Sequence, residues 1–179
     1  MRTQPRAAVL AVSAALMPWV WMQPALADPA ANQLPTGGQV AAGTANISTA
    51  GSKMQIDQAT DKAILNWQTF SIGSSAWVNF SQPSASSVAL NKVLGNNPSE
   101  IFGRLSANGQ VFLSNPSGVL FAPSASVDVG SLFATSLSIT DQDFLAGRYN
   151  FYNSGSAGSV VNQGTIITTN GYAALAGPQ

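Results

Sequence analysis

Apolar and polar residues alternate along this chain in runs of three to six residues, the length of strands rather than of helices. Lys53–Gln58 sets Met54 and Ile56 between polar neighbours, the pattern of a half-buried strand. Over 63–72 the apolar residues fall at Leu65, Trp67, Phe70 and Ile72; the slip in step between Trp67 and Phe70 predicts a bend or bulge. Segments 76–80 and 87–94 read as further strands. From Gly95 onward a rhythm sets in. Short β-favouring pieces at 101–105, 110–113, 119–121, 126–129 and 136–140 alternate with turn clusters at 106–109, 114–118, 122–125 and Gly130. Two more pieces follow at 160–167 and 172–175, and weaker strand signals occur at 39–41 and 45–48. No window carries an i, i+3, i+4, i+7 stripe, and 144–147 has room for only one short turn of helix.

Two all-β architectures fit. A sandwich uses fewer, longer strands joined by hairpins. A parallel β-solenoid uses short strands joined by tight corners, each coil stacked on the last. The strand length favours the solenoid, although no repeat of fixed period is visible.

Composition narrows the chemistry. The chain has 179 residues, no Cys and no His, and 8% charged residues, against about a quarter in ordinary domains. Without Cys there is no disulfide framework, thiol nucleophile or thiolate metal site. Without His the commonest general base and zinc ligand are missing. Seven basic residues balance seven acidic ones, which argues against a nucleic-acid partner, because that needs a basic face. No cofactor or metal is expected.

The N-terminus reads as a secretory leader over 1–27. Arg2 and Arg6 precede an uncharged apolar run over 7–22, and Ala25-Leu26-Ala27 supplies a small-residue cleavage site after Ala27. The run is interrupted by Pro18 and is short for a bilayer span, which needs about 20 residues. Cleavage would leave one domain over 28–179, with five basic and seven acidic residues and no second stretch able to span a membrane. Stability without disulfides must then come from burial and backbone pairing, which suits a chain that crosses a second barrier unfolded.

Asn97-Pro98-Ser99-Glu100 and Asn115-Pro116-Ser117-Gly118 both have the chemistry of type I turns: Asn first, Pro second, and Gly fourth in the latter. With their surroundings they carry a resemblance. The strings ILNWQTFSIG at 64–73, VNFSQP at 78–83, LNKV at 90–93, PSEIFGRL at 98–105, ANGQVFLSNPSGVLF at 107–121, FLAGRY at 144–149 and VNQGTI at 161–166 resemble, in order, the filamentous haemagglutinin N-terminal, or two-partner secretion, domain. The likeness runs from about 34 to 178.

The resemblance implies a right-handed parallel β-helix with a small N-terminal β cap. It implies a large exoprotein of a Gram-negative bacterium, secreted or on the cell surface by way of the periplasm. The partner it implies is an outer-membrane barrel with periplasmic POTRA domains. The family's N-P-N-G-[IV] signature falls on Asn115, Pro116, Ser117, Gly118 and Val119, with Ser in place of the second Asn. Asn97, Pro98 and Ser99 echo a second signature more weakly.

Two other functions are weighed. A direct adhesin would bind a host cell surface or glycan through exposed aromatics such as Trp77, Phe80 or Tyr152, but the core is the expected place for all three, and for Trp67 and Phe70. A polysaccharide-active β-helix enzyme would need clustered carboxylates. The best group is Asp141 and Asp143 with Arg148 nearby, and a solvated corner loop is the plainer reading.

Overall fold

A computed structural model describes residues 27–155, 158–169 and 171–177; the leader up to residue 26 lies outside them. The chain winds through five coils. The first holds β3 (Lys53–Gln58) and β4 (Lys62–Trp67), and the second β5 (Trp77–Ser81), β6 (Val88–Val93) and β7 (Ser99–Ile101). The third holds β8 (Arg104–Ala107), β9 (Gln110–Ser114) and β10 (Val119–Phe121). The fourth holds β11 (Ser126–Val129), β12 (Ser131–Thr135) and β13 (Val160–Asn162), and the fifth β14 (Thr165–Thr168) and β15 (Ala173–Ala176). Each strand pairs in parallel with its counterpart one coil away, so three sheets run along the axis. This is a parallel β-helix, as the resemblance implied, and not a sandwich.

The first coil is closed by antiparallel strands. β1 (Gln39–Ala42) pairs with β4, and β2 (Ala45–Ala50) pairs with β3. On the third side Thr36 bridges Thr69, and the Gly73 N–H donates to the Gln33 carbonyl at 2.9 Å. The expected cap is therefore present. Reversing direction satisfies the backbone groups of the first coil and leaves no parallel edge there for another chain to extend.

Side-chain alternation follows from the pleat. Met54, Val78, Leu105, Val127 and Ile166 are register partners in successive coils and face inward. Trp67, Phe70 and Phe80 are at most 1% exposed within the same core. Asn91 is the polar intruder. It accepts the Trp67 indole N–H at 3.0 Å and donates to the Phe112 carbonyl at 3.2 Å, so its burial is compensated.

The sheet containing β4, β6, β9 and β12 is apolar on both faces. Outward-facing Ile64, Leu90, Phe112 and Phe133 are register partners, and a strap, described over 136–155, covers them through Ile139, Phe144 and Phe151. Helix α1 (Asp141–Leu145) sits in the strap, with Phe144 fully buried and Thr140 as N-cap. Thr140 Oγ1 accepts the Asp143 N–H at 3.1 Å, the N-cap bond, and its hydroxyl donates to the Asp143 carboxylate at 2.9 Å. That bond, then Arg148, holds the Asp143 carboxyl below its usual range. Lys62 Nζ donates to the Phe144 and Leu145 carbonyls at 3.2 and 2.9 Å, where the helix end is negative. Lys92 pairs with Asp141 at 2.7 Å.

Several sequence expectations are corrected. Segment 101–105 is two strands, because Phe102 and Gly103 turn a corner; a Cβ on Gly103 would run into the Gly73 and Ala76 carbonyls. Segment 160–167 splits likewise at Gln163 and Gly164. The alternating stretch 136–140 forms only a single bridge, Ser138 to Tyr152. Trp77 is half-buried and Tyr152 is 50% exposed, so neither is a core residue. Asp141 and Asp143 open a short helix rather than a corner loop.

Phe112 packs against Phe133, Phe144, Tyr149 and Phe151, with ring centroids 5.1 to 6.4 Å away. Phe112→Ala is expected to cost about 3–5 kcal/mol in chemical denaturation and to speed amide exchange across the strap. Tyr152→Ala should stay within about 0.5 kcal/mol.

Candidate functional site

The two Asn-Pro motifs lie in adjacent coils, one on top of the other. After β9 the chain turns at Asn115-Pro116-Ser117-Gly118. The Asn115 carbonyl accepts the Gly118 N–H at 2.8 Å, and Asn115 Oδ1 accepts the Ser117 N–H at 2.9 Å. This is the turn that Asn first and Pro second prepare. Gly118 sits at φ +107°, and a Cβ there would lie 2.7 Å from the Ser159 carbonyl oxygen. Only glycine satisfies both the angle and the approach of the next coil.

Asn97-Pro98-Ser99-Glu100 is not the expected type I turn. Asn97 lies in a bend, while Ser99 and Glu100 already belong to β7. The Ser99 N–H donates to the Gly118 carbonyl at 3.0 Å, and the Glu100 N–H donates to Ser71 Oγ at 3.1 Å. These inter-coil bonds take the donors that a local turn would have used.

Asn115 joins the motifs. Its side chain is fully buried, and Nδ2 donates to the Asn97 carbonyl at 3.0 Å and to Ser99 Oγ at 2.9 Å. Its N–H donates to the Thr135 carbonyl at 2.9 Å, and Val119 N–H donates to the Ser159 carbonyl at 2.9 Å. One side chain therefore sets the register of two coils, and its neighbours tie the turn to the fourth. The outward part consists of Asn97, which is exposed, and Pro98, Pro116 and Ser117, which are half-exposed. Nothing in the local sequence marked Ser99 as a buried partner of Asn115; that pairing depends on inter-coil register.

Below the stack a cleft of about 290 Å³ is lined by Ala27, Pro29, Gln33, Thr69, Ser71, Asn97, Pro98 and Glu100. The cap segment thus forms one wall and the weaker motif the other. Burial, and next the Asp28 carboxylate, raise the Glu100 pKa. Asp141 and Asp143 do not line this cleft: each carboxylate pairs with a cation of its own, Lys92 and Arg148 respectively. Among the described residues no three His, Cys, Asp or Glu side chains converge, and no helix is long and apolar enough to cross a membrane.

Asn115→Ala strips the Asn97 carbonyl and Ser99 Oγ of their donor; a loss of about 2–4 kcal/mol is expected in denaturant melts, against about zero for Ser117→Ala. Glu100 tests the cleft by pH. A raised folded pKa means that its contribution is present below the unfolded value and is lost as pH rises through the folded one. Glu100→Gln should therefore raise the melting temperature at pH 7 and leave it unchanged near pH 3.5.

Comparison with known proteins agrees with the sequence resemblance. The family model described as the TPS secretion domain matches residues 31–179. A heme/hemopexin-binding protein of Haemophilus influenzae is 42% identical over 139 residues, covering 76% of this chain and 15% of that protein. A second protein of that name and species is 41% identical over 110 residues, covering 61% and 12%. The crystal structure of the HMW1 secretion domain from Haemophilus influenzae superposes with a TM-score of 0.76 at 32% identity, covering 79% of this chain and 38% of that one. The chain thus spans about one seventh of the length of these curated relatives.

Proposed function

The chain belongs to the family of TPS secretion domains, and from that premise we propose that it is the export address of a longer adhesin- or haemagglutinin-like exoprotein, read by an outer-membrane barrel through its POTRA domains. The leader over 1–27 takes the chain to the periplasm and is removed after Ala27. The barrel then passes it to the cell surface or the medium. The domain acts by recognition and folding, not as an enzyme.

The observation that carries this reading is the buried Asn115, which bonds Asn97 and Ser99 across two coils. In the folded state Asn115 is hidden from any partner. It becomes readable only while the chain is extended, as it is during passage. Two roles then follow for the same motif. Unfolded, Asn115, Pro116, Ser117 and Gly118 are available to the transporter, which adds the segment to a sheet edge. Folded, they lock the second and third coils in register, and each later coil stacks on the one before. Folding outside the membrane then favours forward movement, since each coil buries apolar surface that the extended chain exposes.

The test is export in cells carrying the barrel partner. The Asn115→Ala, Pro116→Ala double variant should lose at least about tenfold in the medium while its periplasmic level holds. Normal export of that variant would remove the motif as the address. Ser117→Asn, which restores the family's amide, should export at least as well as the parent.

A further inference from the structure

Two cations on the outer face of the β3-β5-β8 sheet meet no carboxylate among the described residues. Of the seven Lys and Arg residues in the chain, Lys53, Lys62, Lys92, Arg104 and Arg148 lie in the described part. Lys62 caps α1, Lys92 pairs with Asp141, and Arg148 pairs with Asp143. Lys53 and Arg104 are exposed and form no ion pair among the described residues. Both converge on one indole. Lys53 Nζ lies 4.0 Å, and Arg104 Cζ 4.8 Å, from the Trp77 ring centroid.

Register explains the convergence. Lys53, Trp77 and Arg104 are partners across β3, β5 and β8, so the cations flank the ring from opposite neighbouring strands. Their backbones are two strand spacings, about 10 Å, apart. The ring is itself held. Trp77 Nε1–H donates to Ser106 Oγ at 2.6 Å, Ser106 donates to Asn79 Oδ1 at 2.6 Å, Asn79 Nδ2 to Gln55 Oε1 at 2.9 Å, and Gln55 Nε2 to Asp57 Oδ1 at 2.8 Å. The relay runs away from the indole and ends on Asp57, so that carboxylate is engaged by an amide rather than by either cation. The ring attracts each cation by about 0.5–1 kcal/mol. That attraction keeps two flexible side chains in place and lowers the ordering cost of binding between them.

We propose that the Lys53–Trp77–Arg104 column is a binding site for an acidic saccharide chain, whose carboxylate or sulfate groups meet the two cations. Charge complementarity sets the sign of the ligand. The neighbouring residues set its class: Ser126 and Thr165 continue the same column, and Gln55, Asn79 and Ser106 run through the next one to the exposed Asp128, so hydroxyl and amide groups adjoin the cations and the one carboxylate of that column stands beyond Ser106. A bilayer has nothing to receive here. Two cations stand over the half-buried indole, and among the described residues Ile167 is the one large apolar side chain exposed on this sheet face. The site belongs to the folded state and goes beyond the export role.

The test is calorimetry on the purified chain at low salt. The ligands are hyaluronan and chondroitin sulfate oligosaccharides, neutral dextran, and vesicles containing phosphatidylglycerol. Binding of an acidic oligosaccharide but not of dextran is expected, weakening at least about tenfold in 0.5 M salt, as screening requires. Lys53→Gln with Arg104→Gln should weaken it at least about tenfold while lowering the melting temperature by no more than roughly 5 °C, the loss of two cation–ring contacts, and Arg148→Gln should leave it intact. Four results would overturn the proposal: no acidic saccharide bound, equal binding by the double variant, equal loss in Arg148→Gln, or binding to vesicles alone. None of these bears on export, so failure here leaves the secretion reading standing.

Discussion

A strand in a parallel β-helix has no partner of its own making: its backbone is satisfied only by the coil before it and the coil after it. Everything else in this domain answers to that dependence. The interior is a set of inward columns because register is shared by every coil, as with Met54, Val78, Leu105, Val127 and Ile166. The first coil has nothing before it, so the chain doubles back and closes it with β1 and β2. Buried polar bonds likewise run between coils, and Asn115 is the clearest case, directing both of its amide protons to the coil below.

The parts legible in the sequence were those decided locally. Lys53–Gln58 has one face in water and one in the core, so its alternation survives and marks the strand. The Asn115 turn was legible for the same reason, since its Asn, Pro and Gly act within four residues. β12 went unseen because Leu132 and Ala134 fill the core while Phe133 lies under the strap, so burial on both faces erases the alternation. Asn97-Pro98-Ser99 carries the same local chemistry as the later motif, yet its fate is set by Gly118 and Ser71 in other coils. The coil itself resisted detection as a repeat because the register partners Lys53, Trp77, Arg104, Ser126 and Thr165 are unevenly spaced along the chain.

The same contrast governs the charges. With 8% charged residues, each of the five cations in the described part has an identifiable position in the fold, and three of them hold the strap. Lys53 and Arg104 are distant in sequence and meet only through register, so no motif could have announced them. Family membership accounts for the turns, the cap and the coil. It does not account for a pair of cations held against an indole on the outer face, which is why that face is read from its own geometry.

The strap has a consequence for how such domains diversify. Between β12 and β13 the winding is interrupted by some two dozen residues and then resumes in register, with β13 paired to β10. Closing a loop costs little more when it is lengthened, about 0.6 kcal/mol for each doubling. Such a detour is a permissive graft point, where foreign sequence can be accommodated without disturbing the winding on either side, provided that something apolar still shields Ile64, Leu90 and Phe112.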